Sequence, residues 1–206
     1  MLETKFIPAE QRESKRLMIV LHGLGDSMAG YAWVPQMMRL PWLNYLLANA
    51  PDAYYGGFSW YELQGNSESG VRRSAKLLSG LLDAQRDLGF PTEQTILSGF
   101  SQGCLMTLET GLRYPHRFAA LVGMSGYVLD PASLLRELSP VAKEQRVLVT
   151  HGRQDPLIPF QKVKVQVDQL RTGGLQVEWR EFDKPHTIVD AEIEVIREFI
   201  AKSFDP

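Results

Sequence analysis

Apolar residues fall along this chain in short unbroken runs, separated by longer stretches in which they recur every three or four positions. Leu17-Met18-Ile19-Val20-Leu21, Leu46-Leu47-Ala48-Asn49-Ala50, Thr95-Ile96-Leu97, Phe118-Ala119-Ala120-Leu121-Val122-Gly123-Met124 and Val147-Leu148-Val149 are runs of strand length. A run that is apolar at nearly every position suits a strand covered on both faces. Residues 175–182 alternate instead, as a strand with one covered face does. Between the runs, Val71, Ala75, Leu78, Leu81, Leu82 and Leu88 share one helical face, and Gly89 and Pro91 stop the pattern. That spacing predicts a long amphipathic helix over 68–88. A broken helical pattern covers 28–40, and shorter helices are expected after Gly103 and over 131–138, 161–171 and 190–202.

Strands alternating with helices imply right-handed crossovers and an α/β architecture, a mostly parallel central sheet with helices on both faces. Ligands in such sheets bind beyond the carboxyl ends of the strands. No repeat, low-complexity tract or linker marks a second unit, so the expectation is one domain over 1–206, with no segment long enough to form a large cap.

Composition narrows the function classes. A chain of 206 residues that is 44% hydrophobic can bury both faces of such a sheet. Its net charge of −2, without a long basic run, removes the main driving force for nucleic-acid binding. The first sixteen residues interleave Glu3, Lys5, Glu10, Arg12, Glu13, Lys15 and Arg16 with few apolar positions, so they lack a signal-peptide core. No other stretch is apolar enough to span a bilayer, and the expectation is a cytoplasmic protein without stable membrane insertion. Cys104 is the single cysteine, which rules out an internal disulfide and a thiolate zinc site and reads as a buried thiol.

Candidate chemistry sits where the strand-like runs end. Gly99-Phe100-Ser101-Gln102-Gly103 places a serine between glycines after one run and before a helical pattern. A nucleophile elbow needs that context, because the serine occupies a strained strand-to-helix turn that leaves no room for side chains on either flank. His151-Gly152-Arg153-Gln154-Asp155 follows the next run but one, and His186 follows the alternating segment. The order Ser, Asp, His makes Ser101 the candidate nucleophile, Asp155 the orienting carboxylate and His186 the base. Pro156 and Pro159 stiffen the loop that carries Asp155. Upstream, the first apolar run enters His22-Gly23-Leu24-Gly25-Asp26, a turn whose Leu24 N–H, with that of Gln102, would form an oxyanion hole. Tyr54, Tyr55, Phe58, Trp60 and Tyr61 cluster near the same edge, and Trp60 and Tyr61 are the expected groove-lining, substrate-binding residues.

At these segments the chain resembles the carboxylesterases, lysophospholipases and acyl-protein thioesterases of the α/β-hydrolase fold. The resemblance rests on residues 21–26, 99–103, 151–159 and His186, with Ser59-Trp60-Tyr61-Glu62 similar to a further family segment. Cys104 stands where the family usually has glycine, Pro185 precedes His186 where glycine is usual, and the 50–60 segment is short for the family. The resemblance implies an acyl-serine mechanism that needs no metal or organic cofactor. Its substrates would be small-molecule or lipid acyl esters, or an acylated protein, and a homodimer is compatible with it. Carboxylic esters of short to medium acyl chain are the expected substrates, because no basic amphipathic membrane-docking segment is evident. Longer-chain thioester or lysophospholipid hydrolysis is the alternative, and a binding-only fold in which Pro185 displaces His186 is a third reading.

Overall fold

The computed structural model describes residues 2–204. Its main sheet has seven strands in the order β1-β3-β2-β6-β7-β8-β9. They are β1 (Thr4–Ile7), β2 (Leu17–Leu21), β3 (Asn44–Ala48), β6 (Thr95–Phe100), β7 (Ala120–Met124), β8 (Val147–Gly152) and β9 (Val177–Phe182). Every pairing is parallel except β1 with β3. The remaining two, β4 (Asp52–Tyr54) and β5 (Gly57–Ser59), form a separate hairpin.

Burial follows the apolar runs. Every residue of β2, β3, β7 and β8 is buried, which is why these strands carry no alternation. One face packs against α2 (Ser67–Asp87), α3 (Gln102–Gly111), α4 (Pro131–Arg136) and α5 (Phe160–Thr172), through residues such as Leu78, Leu105, Leu134 and Val167. The other packs against α1 (Val34–Met38) and α6 (Asp190–Ser203), through Val34, Met38, Ile193, Ile196 and Ile200. Helices on both faces of a largely parallel sheet are the expected α/β architecture, and no large cap interrupts it among the described residues.

Three features differ from the sequence reading. β1 adds an antiparallel edge strand from the polar N-terminal stretch; its residues are mostly exposed, so it carries no buried-run signal. The 28–40 pattern resolves into a single 3₁₀ turn, Met28–Tyr31, and the short α1. The 50–60 segment folds as the β4–β5 hairpin, turning at Tyr55 and Gly56, which both have positive φ.

Candidate active site

The loops that leave β2, β6, β8 and β9 at their carboxyl ends meet at one point of the sheet edge. Ser101 follows β6 directly and has φ of 56°, the left-handed backbone of a strained turn. Its flanking glycines are sterically required. A Cβ on Gly99 would lie 2.2 Å from the Gly103 carbonyl oxygen, and one on Gly103 would lie 2.3 Å from that of Leu21. The Ser101 N–H donates to the Met124 carbonyl, which fastens the elbow to β7.

The three candidate catalytic side chains form one hydrogen-bonded line. His186 Nε2 lies 3.0 Å from Ser101 Oγ, and His186 Nδ1 lies 2.7 Å from Asp155 Oδ2. The other carboxylate oxygen, Oδ1, accepts the N–H groups of Leu157 and Ile158, both at 2.9 Å. Burial on its own would raise the Asp155 carboxyl, but the Ile158 N–H, His186 and the Leu157 N–H together outweigh it and hold the group below its ordinary range. The ring of Phe100 packs against His186 at 4.9 Å between centroids. Pro185 is exposed and does not divert His186 from Ser101.

The other two histidines near the site hold loops in place. His22 Nε2 accepts the Ala50 N–H at 3.0 Å, so its proton sits on Nδ1, which donates to the Gly23 carbonyl. Burial lowers its pKa and keeps it neutral. His151 Nε2 meets the Ile158 carbonyl at 3.0 Å and lies 3.6 Å from Asp155 Oδ2, backing the acidic loop from the core. Burial lowers its pKa too.

The turn after β2 is braced by the hairpin. The Gly25 N–H donates to the Phe58 carbonyl, and the Phe58 N–H donates to that of Asp26. A Cβ on Gly57 would lie 2.1 Å from the Gly25 carbonyl oxygen, so the hairpin rests directly on that turn. Among the described residues, the N–H groups of Leu24 and Gln102 meet no protein acceptor, and both residues line the cavity over Ser101. Asp26 accepts the Ser27 N–H at the start of the 3₁₀ turn.

The Gln102 side chain acts on structure. Its Oε1 accepts the Trp60 N–H at 3.0 Å and its Nε2 donates to the Tyr61 carbonyl at 2.8 Å. Trp60 is fully buried, donates through Nε1 to the His22 carbonyl, and does not line the cavity. The expectation that Trp60 contacts substrate therefore gives way to a bracing position behind the wall. Tyr61 does reach the wall, its hydroxyl 3.2 Å from that of Tyr127. Cys104, on α3, is completely buried against Gly123 and Gly126, and burial pushes its thiol up to about 12.

The cavity over Ser101 encloses about 550 Å³, within the range of small-molecule sites. Leu24, Leu63, Phe100, Leu157 and Ile158 supply apolar wall, and Tyr31, Tyr61, Tyr127 and Lys162 supply polar tips. A larger hollow, about 690 Å³, lies against α2 and α3, and no histidine lines it. Size favours the larger hollow, but the hydrogen-bonded candidate residues Ser101 and His186 line the smaller one.

Fold and sheet-edge loops define an α/β hydrolase. The chain belongs to the phospholipase/carboxylesterase family, whose pattern it matches over residues 2–204. Acyl-protein thioesterase 1 of Schizosaccharomyces pombe is 36% identical over 158 residues, which cover 68% of this chain and 69% of the relative. The crystal structure of esterase PE8 superposes with a TM-score of 0.88 at 27% identity, covering 98% of this chain and 99% of that one. The Zea mays acyl-protein thioesterase 2 structure shares the fold, with a TM-score of 0.82 at 21% identity over 98% and 99% of the two chains.

Proposed function

We propose that this chain is a serine hydrolase of acyl esters, with Ser101 as nucleophile, His186 as base and Asp155 as the group that orients His186. The observation that carries this reading is the line from Ser101 Oγ through His186 to Asp155, at 3.0 and 2.7 Å. Because Nδ1 donates to the carboxylate, Nε2 is left as an acceptor facing the serine hydroxyl. His186 takes the Ser101 proton as Oγ bonds to the substrate carbonyl carbon, and the carbonyl electron pair moves onto oxygen. The N–H groups of Leu24 and Gln102 hold that oxyanion. His186 then returns the proton to the leaving oxygen or sulfur, the carbon–heteroatom bond breaks, and acyl-Ser101 remains. Water, deprotonated by His186, repeats the cycle and releases the carboxylic acid, so the chemistry uses no metal or organic cofactor.

For the substrate we propose carboxylic esters of short to medium acyl chain, acted on in the cytoplasm. The apolar wall supports an acyl group, and the paired hydroxyls of Tyr61 and Tyr127 set a polar limit to it. A second reading, hydrolysis of longer acyl thioesters, is favoured by the likeness to acyl-protein thioesterase 1 of Schizosaccharomyces pombe. A p-nitrophenyl ester series tests the two. Each methylene added inside an apolar groove contributes up to about 0.8 kcal/mol, so kcat/KM should climb roughly threefold to fourfold per carbon and level near butyrate or hexanoate. A climb that continues to palmitate, matched by turnover of a palmitoyl-thioester peptide, would replace the first reading with the second.

A further inference from the structure

The loop that delivers His186 is anchored from below by a lysine that no motif singles out. Lys184 is 1% exposed, and its ammonium donates to Ser125 Oγ at 3.1 Å, to the Thr187 carbonyl at 2.7 Å and to Glu192 Oε2. Glu192, in the first turn of α6, is wholly buried, and its other oxygen accepts the hydroxyl of Thr150 on β8. Ser125 follows β7, and its N–H donates to the Thr150 carbonyl. One cation thus ties both sides of His186, the chain before it and the Thr187 carbonyl after it, to two strands and a helix. The Lys184 carbonyl also accepts the Gln154 N–H, so the same residue meets the loop that carries Asp155.

Retaining a charge pair at such depth costs desolvation that an apolar pair of equal volume would avoid, so stability alone is a poor reason for its presence. A loop with no regular secondary structure must instead hold one imidazole within hydrogen-bond reach of two other side chains. We infer that Lys184, paired with Glu192, is a positioning residue for the catalytic base, fixing the 184–187 segment so that His186 spans Ser101 and Asp155. The inference rests on the proposed triad.

The test is the double variant Lys184→Met/Glu192→Gln, which removes both charges, conserves volume and leaves the Thr150 hydroxyl an acceptor. The expected result is a folded protein whose kcat is about 10- to 100-fold lower, the scale of a misplaced catalytic group, with KM within about twofold of wild type. Phosphonate labelling of Ser101 should slow by the same factor. Leu81→Ala, on the buried face of α2, serves as the control: it lowers Tm but leaves the kcat of the folded protein unchanged. A folded double variant with wild-type kcat, or one altered in KM alone, overturns the inference. If the double variant does not fold, Ser125→Ala decides, since it removes one acceptor and no charge. The inference then requires kcat to fall several-fold at unchanged KM, and a wild-type kcat overturns it. Failure of wild-type Ser101 to label at all would instead refute the triad.

Discussion

Asp155→Asn isolates the electrostatic part of the site with the smallest change in shape. Asp155 accepts three hydrogen bonds, two from the Leu157 and Ile158 N–H groups on Oδ1 and one from His186 on Oδ2. An asparagine has one carbonyl oxygen to place. Facing the loop, it keeps two bonds worth roughly 0.5–1.5 kcal/mol each; facing His186, it loses both and sets its NH₂ against two N–H donors. The first orientation wins, and its NH₂ then points at His186 Nδ1. That nitrogen must become an acceptor, which moves the imidazole proton to Nε2, facing Ser101 Oγ. The base would then present a proton where it has to remove one. The same exchange in a serine protease lowers kcat about 10⁴-fold, equivalent to roughly 5.4 kcal/mol at 1.36 kcal/mol per decade. Steady-state hydrolysis of p-nitrophenyl butyrate, with thermal unfolding of the same samples, reads both consequences. Asp155→Ala, which abandons all three bonds, should be less stable than Asp155→Asn by about 1–2 kcal/mol, or roughly 2–8 °C in Tm. If Asp155→Asn retained more than about a tenth of wild-type kcat/KM, far above that scale, the carboxylate would not be orienting the base.

Acid should narrow the stability gap between wild type and Asp155→Asn. The Asp155 carboxyl is held below its ordinary range, so its contribution is complete above the unfolded value of about 3.9 and is lost as pH falls through the folded value. The Tm difference should be smaller at about pH 3 than at about pH 5; a larger difference at about pH 3 would reverse the assigned sign. Gly103→Ala should be among the most damaging single methyl additions, because its Cβ would fall 2.3 Å from the Leu21 carbonyl oxygen. About 3 kcal/mol of strain, or roughly 6–12 °C in Tm, is expected, and a variant within about 2 °C of wild type would mean that the elbow has room. Gln102→Ala keeps its backbone N–H but frees the Trp60–Tyr61 segment, so it should cost about 1–3 kcal/mol of stability by chemical denaturation. An unchanged unfolding midpoint would show that the clamp carries no energy.

The buried strands and the candidate triad were legible because both leave dense local signals. Five apolar runs and one helical stripe outline most of the sheet and α2, and the glycines around Ser101 report the crowding that the elbow creates. Structure that depends on distant partners left less trace. β1 reads as polar tail because an edge strand needs no continuous burial, and it is recognisable only through its pairing with β3. The β4–β5 hairpin is too short for a periodic pattern, although Tyr55-Gly56 marks its turn. Trp60 invited a substrate role because aromatics near a strand end suit a groove wall, yet its indole is consumed by the His22 carbonyl. Lys184 gave no signal at all, since a lysine in a loop ordinarily points to solvent. Its partner, Glu192, resembles any acidic residue in the first turn of a helix.

Fluorophosphonate labelling followed by peptide mapping tests the assignment of Ser101 most directly, because the probe phosphonylates an activated serine and reports which one it is. One adduct per chain, on Ser101, is expected in the wild-type protein, with none in Ser101→Ala and a strongly slowed reaction in His186→Ala. A wild-type adduct on any other serine, or undiminished labelling of His186→Ala, would contradict it.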